Sequence, residues 1–346
     1  MNQTKKRKLK KDMKLLTIAI PSYNSHDYLR NAIDSMMIDN DELEVLVIDD
    51  GSKDDTLEIG KEYEKKYPGI VRAIHKENGG HGDAVMTGIK NASGLFFKVV
   101  DSDDWLDSSA LKELMGKLKE FNDSNDMPDA VITNFVYDRV CTNEKNVVDF
   151  HKVLPVGKFF GWEDTKKFKT GQYILMHSLT YRTSVLRDCN FDLPKHTYYV
   201  DELYCTIPLK LVEKMYYLNV CLYHYYIGRC NQSVQEQVMI KNIDQSILVN
   251  TLVAEGYDPY IETSKKKRKY LIEYIEILYF STSVLLIISK NKENKKKVKA
   301  FWKHLKEINP RLYKKLSRSF KYFVLHFPYF IIYIGYRISR KIYKFS

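Results

Sequence analysis

The sequence predicts an α/β protein, a mostly parallel sheet with helices on both faces, followed by a helical C-terminal region. Three observations carry this expectation. Short apolar runs alternate with amphipathic stretches from Leu15 to Phe135. Polar loops rich in acids or glycine follow the apolar runs, and after about residue 233 the spacing turns helical throughout. Strands that are apolar on both faces and separated by amphipathic helices belong to covered parallel sheets, where ligands collect beyond the carboxyl ends of the strands.

The elements follow in order. Residues 1–13 read as a flexible basic arm, and the first strand spans 15–20. That apolar run is six residues long and stops at Pro21-Ser22-Tyr23-Asn24, too short for a signal-peptide core. A helix near 26–37 places Leu29, Ile33 and Met36 on one face; Leu43 to Ile48 is the next strand, and a polar helix near 53–66 comes after it. A third strand near 70–74, a helix near 83–92, a fourth strand at 95–100, a helix near 108–121 and a strand at 130–135 complete the alternation. Residues 138–230 read as mixed structure with many aromatics, so the α/β domain is set at 14–232.

Residues 233–320 form the helical region. Its uncharged stretch Ile277–Ser289 is too short to span a bilayer and reads as a buried helix. Residues 321–346 stand apart. Tyr322 to Tyr336 contains no Lys, Arg, Asp or Glu and is bounded by Lys321 and Arg337, which suits an element lying in a membrane interface.

The net charge of +11 sits in basic runs at 5–11, 265–269 and 295–297, apart from the acid-rich stretches 39–64 and 101–129. A nucleic-acid binder usually carries its basic residues on its functional surface, interleaved with aromatics, so no nucleic-acid partner is expected and an anionic membrane surface fits these runs better, with a merely solvated face as the plain alternative. Five cysteines without a CxxC pair indicate neither a disulfide framework nor a zinc site, hence a reducing, cytoplasmic setting. Together these place the chain on the inner face of the cell membrane as a peripheral protein.

Four loops hold the candidate chemistry. Asp101-Ser102-Asp103-Asp104 ends the apolar run Leu95–Val100 and brings three carboxylates into one turn. Such a cluster suits Mg²⁺ or Mn²⁺ shared with a phosphate-bearing ligand. A helix cap needs one acid, not three, and an EF-hand is excluded by the absence of its Gly and Glu. Asn78-Gly79-Gly80-His81-Gly82-Asp83 is a glycine-rich entry to a helix, where backbone N–H groups can approach phosphates. Asp49-Asp50-Gly51-Ser52 offers a carboxylate to a base or ribose, with an ordinary helix-capping turn as the plain alternative. Pro21–Asn24 is the fourth loop.

In this order and spacing, the four motifs resemble the family 2 glycosyltransferases of GT-A fold, over about the first 230 residues. The resemblance implies a nucleotide-diphosphate sugar donor (UDP-sugar favoured), a divalent Mn²⁺ or Mg²⁺, and transfer with inversion at the anomeric carbon. It also implies a glycan or lipid-linked acceptor in cell-surface polysaccharide synthesis. By position, Pro21, Ser22, Tyr23, Asp50 and Gly80 would hold the nucleotide, Asp101 the ribose or sugar side, and Asp103 with Asp104 the metal. Asp201, with Tyr204 three residues on, aligns with the family's catalytic base, with Glu202 as its rival. Arg229 would meet the diphosphate, and His177 falls where acceptor-side residues lie. The loop continues as Ala84-Val85-Met86 rather than Ala-Arg-Asn, a variant closer to polyprenyl-phosphate sugar synthases. That activity is the alternative within enzymes. An inactive basic membrane- or nucleic-acid-binding module is the alternative outside them.

Overall fold

The structure, a computed structural model, describes residues 14–139, 142–169, 171–228 and 235–343. The basic arm 1–13, Arg229 and the closing residues 344–346 lie outside the described residues. The chain forms two compact units, one from Met1–Lys167 with Ile174–Tyr226 and one from Phe168–Tyr173 with Ile227–Ser346.

The first unit is built on β1 (Leu16–Ser22), β2 (Leu43–Asp49), β3 (Val71–His75) and β4 (Phe96–Val99), all parallel in the order β3-β2-β1-β4. Every residue of β1, β2 and β4 is buried, as expected of strands covered on both faces. The covering helices are α1 (Leu29–Met36), α2 (Thr56–Lys66), α3 (His81–Asn91) and α4 (Ser108–Ser124). In α4, Leu111, Leu114, Met115, Leu118 and Phe121 recur at helical spacing and all are buried. Asp107 caps this helix by accepting from the Ala110 amide, so the acids at 101–104 do not serve as its cap.

The sheet continues beyond β4 in mixed sense. β9 (Leu179–Arg182) runs antiparallel between β4 and β6 (Ala130–Arg139), and β6 pairs in parallel with β10 (Met215–Tyr226). β5 (Trp105–Leu106), β7 (Glu144–Val148) and β8 (Phe159–Phe160) add antiparallel pairings. The sheet is therefore parallel only in part. β5 matters most for the site, because its pairing of Leu106 with Tyr223 draws the acidic turn against the aromatic strand β10. Two short helices, α5 (Thr183–Asp188) and α6 (Asp201–Thr206), complete the parts of this unit used below.

The second unit is helical: α7 (Glu236–Lys241), α8 (Ile243–Gly256), α9 (Lys265–Ile288), α10 (Lys292–Ile308), α11 (Pro310–Leu316), α12 (Phe320–Val324) and α13 (Tyr329–Tyr343). α9 is its core. Ser264 caps it, Tyr279 stacks on Phe301 at 4.1 Å, and Asn250 of α8 donates to Thr282 at 2.8 Å. Its length and hydropathy also meet the requirement for crossing a membrane, yet 56% of its apolar window is buried within the protein. Only the end of α9, buried without a break from Thr282 to Ile288, is apolar enough on every side to be expected at the centre of a helical unit.

Candidate active site

The loops after β1, β2, β3 and β4 meet at one sheet edge, tied by side chain to backbone. Asn24, in left-handed backbone, accepts from the Lys53 amide at 2.8 Å, while Ser52 accepts from the Asn24 amide at 3.0 Å. Ser25 and Ser102 join the first and fourth loops at 2.7 Å. Ser22 is buried and its carbonyl accepts from the Asp50 amide, whereas Tyr23 is 49% exposed and open to a ligand.

Asp50 is buried, and its carboxylate accepts from the amides of Gly79 at 2.9 Å and Gly80 at 2.7 Å and from Lys76 at 2.6 Å. These contacts give two of the candidate residues a structural part. Asp50 holds the glycine loop in place, and the Gly79 and Gly80 amides face this acid. What glycine contributes at position 80 is close approach. Its φ is +85°, and a Cβ there would stand 2.8 Å from the His196 amide nitrogen, which donates to the Gly79 carbonyl at 2.7 Å. Gly80→Ala is expected to lower stability by about 1–3 kcal/mol, because φ +85° with ψ 171° is a backbone region essentially restricted to glycine. A thermal melt beside the parent protein checks it, and an unchanged melting temperature would remove this reading of the glycine.

The loop after β4 carries the acids. Asp101 pairs with His81, the first residue of α3, at 2.8 Å from Oδ1 to Nε2. Burial works against the charged imidazole, but the bond to Asp101 and the charges of Asp101, Asp201 and Asp50 hold His81 above its ordinary value. Asp104 is wholly buried, accepting from the Tyr223 hydroxyl and from the Tyr226 amide at 2.8 Å. Burial, and then the charge of Asp101, push Asp104 well above the usual carboxylate range despite those donors. Asp103 lies between these two acids on the same turn.

His177 stands in the turn Met176–Ser178 that leads into β9, its ring against Tyr223, Tyr225 and Phe135. Burial pushes it down to about 4; Asp101 opposes the shift, and Lys98 and His81 add to it. The imidazole is therefore neutral, and its Nδ1 is buried with no hydrogen-bond partner among the described residues. A neutral ring with an unused nitrogen is competent to ligate a metal. Ligand atoms of Asp101, Asp104 and His177 lie within 4.8 Å of one another, the grouping among the described residues that could close on a divalent cation. Asp103 and Asp104 were the metal pair expected from the sequence; this grouping holds Asp104 and not Asp103, and Asp101 and His177 enter it by geometry.

Asp201 begins α6 and is partly buried, with Glu202 beside it. The two residues leading to it in backbone terms are unusual, since His196 and Tyr199 both take positive φ. Held non-glycine residues in that region store strain that surrounding contacts must sustain. Burial raises the Asp201 carboxyl; His81 opposes this and Asp101 adds to it. Asp101, His81 and Asp201 thus form one electrostatically linked group.

Sequence reasoning missed His81 and Lys98 as site residues. Lys98, fully buried in β4, donates to the carbonyls of His177 at 2.7 Å and Leu179 at 3.2 Å, and its Nζ lies 5.3 Å from the centre of the Tyr223 ring. The signal was present: a lysine inside Phe96-Phe97-Lys98-Val99-Val100 interrupts a strand that is otherwise apolar on both faces. Arg229 lies outside the described residues, so its place in the site is open to the proposal below.

Comparison with known proteins agrees with this architecture. The family model for glycosyl transferase family 2 matches residues 17–189. A glycosyltransferase, GlyA of Streptococcus pneumoniae, is 29% identical over 228 residues, 62% of this chain and 31% of GlyA. The chain spans about a third or less of the curated relatives it matches. Among solved structures, S. aureus TarS 1–349 superposes with a TM-score of 0.64 at 20% identity, covering 86% of this chain and 82% of TarS. A mannosyltransferase of Pyrobaculum calidifontis, solved with GDP-Man and Mn²⁺, gives 0.50 at 14% identity, covering 92% and 90%. The fold is that of the GT-A enzymes, and the chain belongs to glycosyl transferase family 2.

Proposed function

We propose that the protein transfers a sugar, with inversion, from a nucleotide-diphosphate donor to a hydroxyl of a glycan or lipid-linked acceptor. The observation that carries this is the gathering of Asp101, His81 and Asp201 at the edge where the four loops meet. The family supports the donor class, as do TarS, solved with UDP-GlcNAc, and the mannosyltransferase, solved with GDP-Man. UDP-sugars are the favoured donors. Surface-polysaccharide synthesis at the inner face of the cell membrane is the proposed setting.

In this reading Asp201 accepts the proton of the acceptor hydroxyl as its oxygen bonds to the anomeric carbon. The bond from that carbon to the diphosphate oxygen breaks on the opposite face. Glu202, next on the helix, remains the rival base. Pro21, Ser22 and Tyr23 border the nucleoside, and Arg229 with His81 supplies positive charge towards the diphosphate. Asp101, Asp103, Asp104 and the neutral His177 would hold Mn²⁺ or Mg²⁺. When bound, such an ion stabilises negative charge on the departing diphosphate. His81 keeps Asp101 oriented, and Lys98 fixes the backbone from which His177 projects.

A panel of UDP-, GDP- and CDP-sugars with Mn²⁺ tests the reading directly. At least one donor is expected to be hydrolysed slowly without acceptor, and a chelator should suppress it. If none of the panel is bound or hydrolysed, the transferase reading fails.

A further inference from the structure

We propose that the outer face of α13 docks on an anionic lipid bilayer; this deepens the membrane side of the reading above and rests on it, but uses none of the proposed transfer residues. α13 is apolar on two opposite faces. Ile332 is buried in the core of the helical unit, where Tyr329 and Tyr336 pack beside it. Glu236 of α7 receives Arg340 at 2.8 Å and Tyr336 at 3.2 Å, fixing the helix by that inner side.

Among the described residues nothing covers the other side. Phe330, Ile334 and Ile338 recur at i, i+4 and i+8 and are 60%, 53% and 53% exposed; Ile331 flanks them. At 100° per residue these four side chains span one stripe, nearly opposite Ile332. A contiguous exposed stripe of this kind on a soluble protein marks an interaction surface rather than ordinary surface scatter. Phe320 and Phe323 of α12 add exposed aromatic area in the same stretch of chain.

Charge identifies the occupant. From Pro310 to Ser346 the sequence holds nine Lys or Arg and no Asp or Glu. Lys314, Lys315, Arg318 and Arg337 are exposed in the structure. Apolar side chains on one face of a helix, in a stretch of chain that carries basic residues and no acids of its own, match the interface of an anionic leaflet, and Arg337 stays 56% exposed beside Glu236 at 3.8 Å. Another protein surface would require acidic complementarity specific to it, whereas anionic headgroups can meet the exposed Lys314, Lys315, Arg318 and Arg337 without it.

The test uses the full chain and sucrose-loaded vesicles of phosphatidylcholine, alone or mixed with phosphatidylglycerol. Sedimentation with the mixed vesicles is expected, with weaker binding to the neutral ones and a loss as salt rises from about 0.1 to about 1 M. Phe330→Glu with Ile334→Glu should lower vesicle affinity at least about tenfold, since two apolar insertions are removed. Both positions are exposed, so the melting temperature should hold, and Phe330→Ser with Ile334→Ser should lower affinity in the same direction without adding charge. Three results would overturn the proposal: no sedimentation with either vesicle, variants that bind like the parent, or a dimer in light scattering that the Glu variant dissociates while vesicles are ignored. The last would give the face to a second copy of the chain. Donor hydrolysis measured without vesicles in parallel separates this outcome from failure of the transferase reading.

Discussion

Asp201→Asn is expected to lower kcat about 10²–10⁴-fold while donor binding stays unchanged. The amide keeps the shape and a hydrogen bond but cannot take the proton of the acceptor hydroxyl. The pH profile gives a second reading of the same residue. Burial penalises the Asp201 charge and Asp101 repels it, so its carboxyl titrates above the usual range in spite of His81. As the proposed base it can act only when ionised. The rate of the parent enzyme should therefore fall as pH drops through that raised value, and the fall should begin at higher pH than an ordinary carboxylate would cause. In Asp201→Asn this limb should be gone. Retention of most activity by the variant would point instead to an acceptor that is already an anion, such as polyprenyl phosphate.

Lys98→Met should be the most damaging change made away from the reacting groups. Methionine fills the space but leaves the His177 and Leu179 carbonyls without their donor, at about 1–3 kcal/mol for each buried group left unpaired. The turn that carries His177 is then free to shift, and displacement of site groups by about 1 Å costs on the order of 10²-fold in rate. Burial pushes the Lys98 ammonium down to about 7 from its ordinary 10.5. Between those values the unfolded chain binds the extra proton, so this group makes stability rise with pH across that window. Denaturant titrations at several pH values should show the rise in the parent and not in Lys98→Met. Equal stability and activity in the two proteins would make the lysine a bystander.

The two halves of the sheet differ in how far the sequence discloses them. The parallel strands and their helices were legible because each is a long apolar or amphipathic run, and the observed boundaries fall within a few residues of the expected ones. β9 is four residues long and β5 two, too short to carry a period. β10 runs twelve residues through seven positions of Tyr, His and Cys, so its composition reads as aromatic loop until its partner β6 is known. The same holds for the site. Asp101 and Asp104 stand out in the chain because three acids share one turn. His81 and Lys98 gain meaning only from partners 20 and 79 residues away. The sequence also suggested the glycine loop as a cradle for phosphate, and only the position of Asp50 shows what its amides face.

That Asp50 tie has a consequence for engineering. The carboxylate after β2 holds the Gly79 and Gly80 amides, the Gly79 carbonyl holds His196, and three residues on Tyr199 takes the left-handed turn that delivers Asp201. Residues 49–52, 76–83 and 193–201 are therefore one mechanical piece assembled from three separate stretches of sequence. A graft from a relative that exchanges only the last of them would bring a backbone shaped for a different glycine loop. An exchange that keeps the backbone lead to Asp201 intact needs all three segments together.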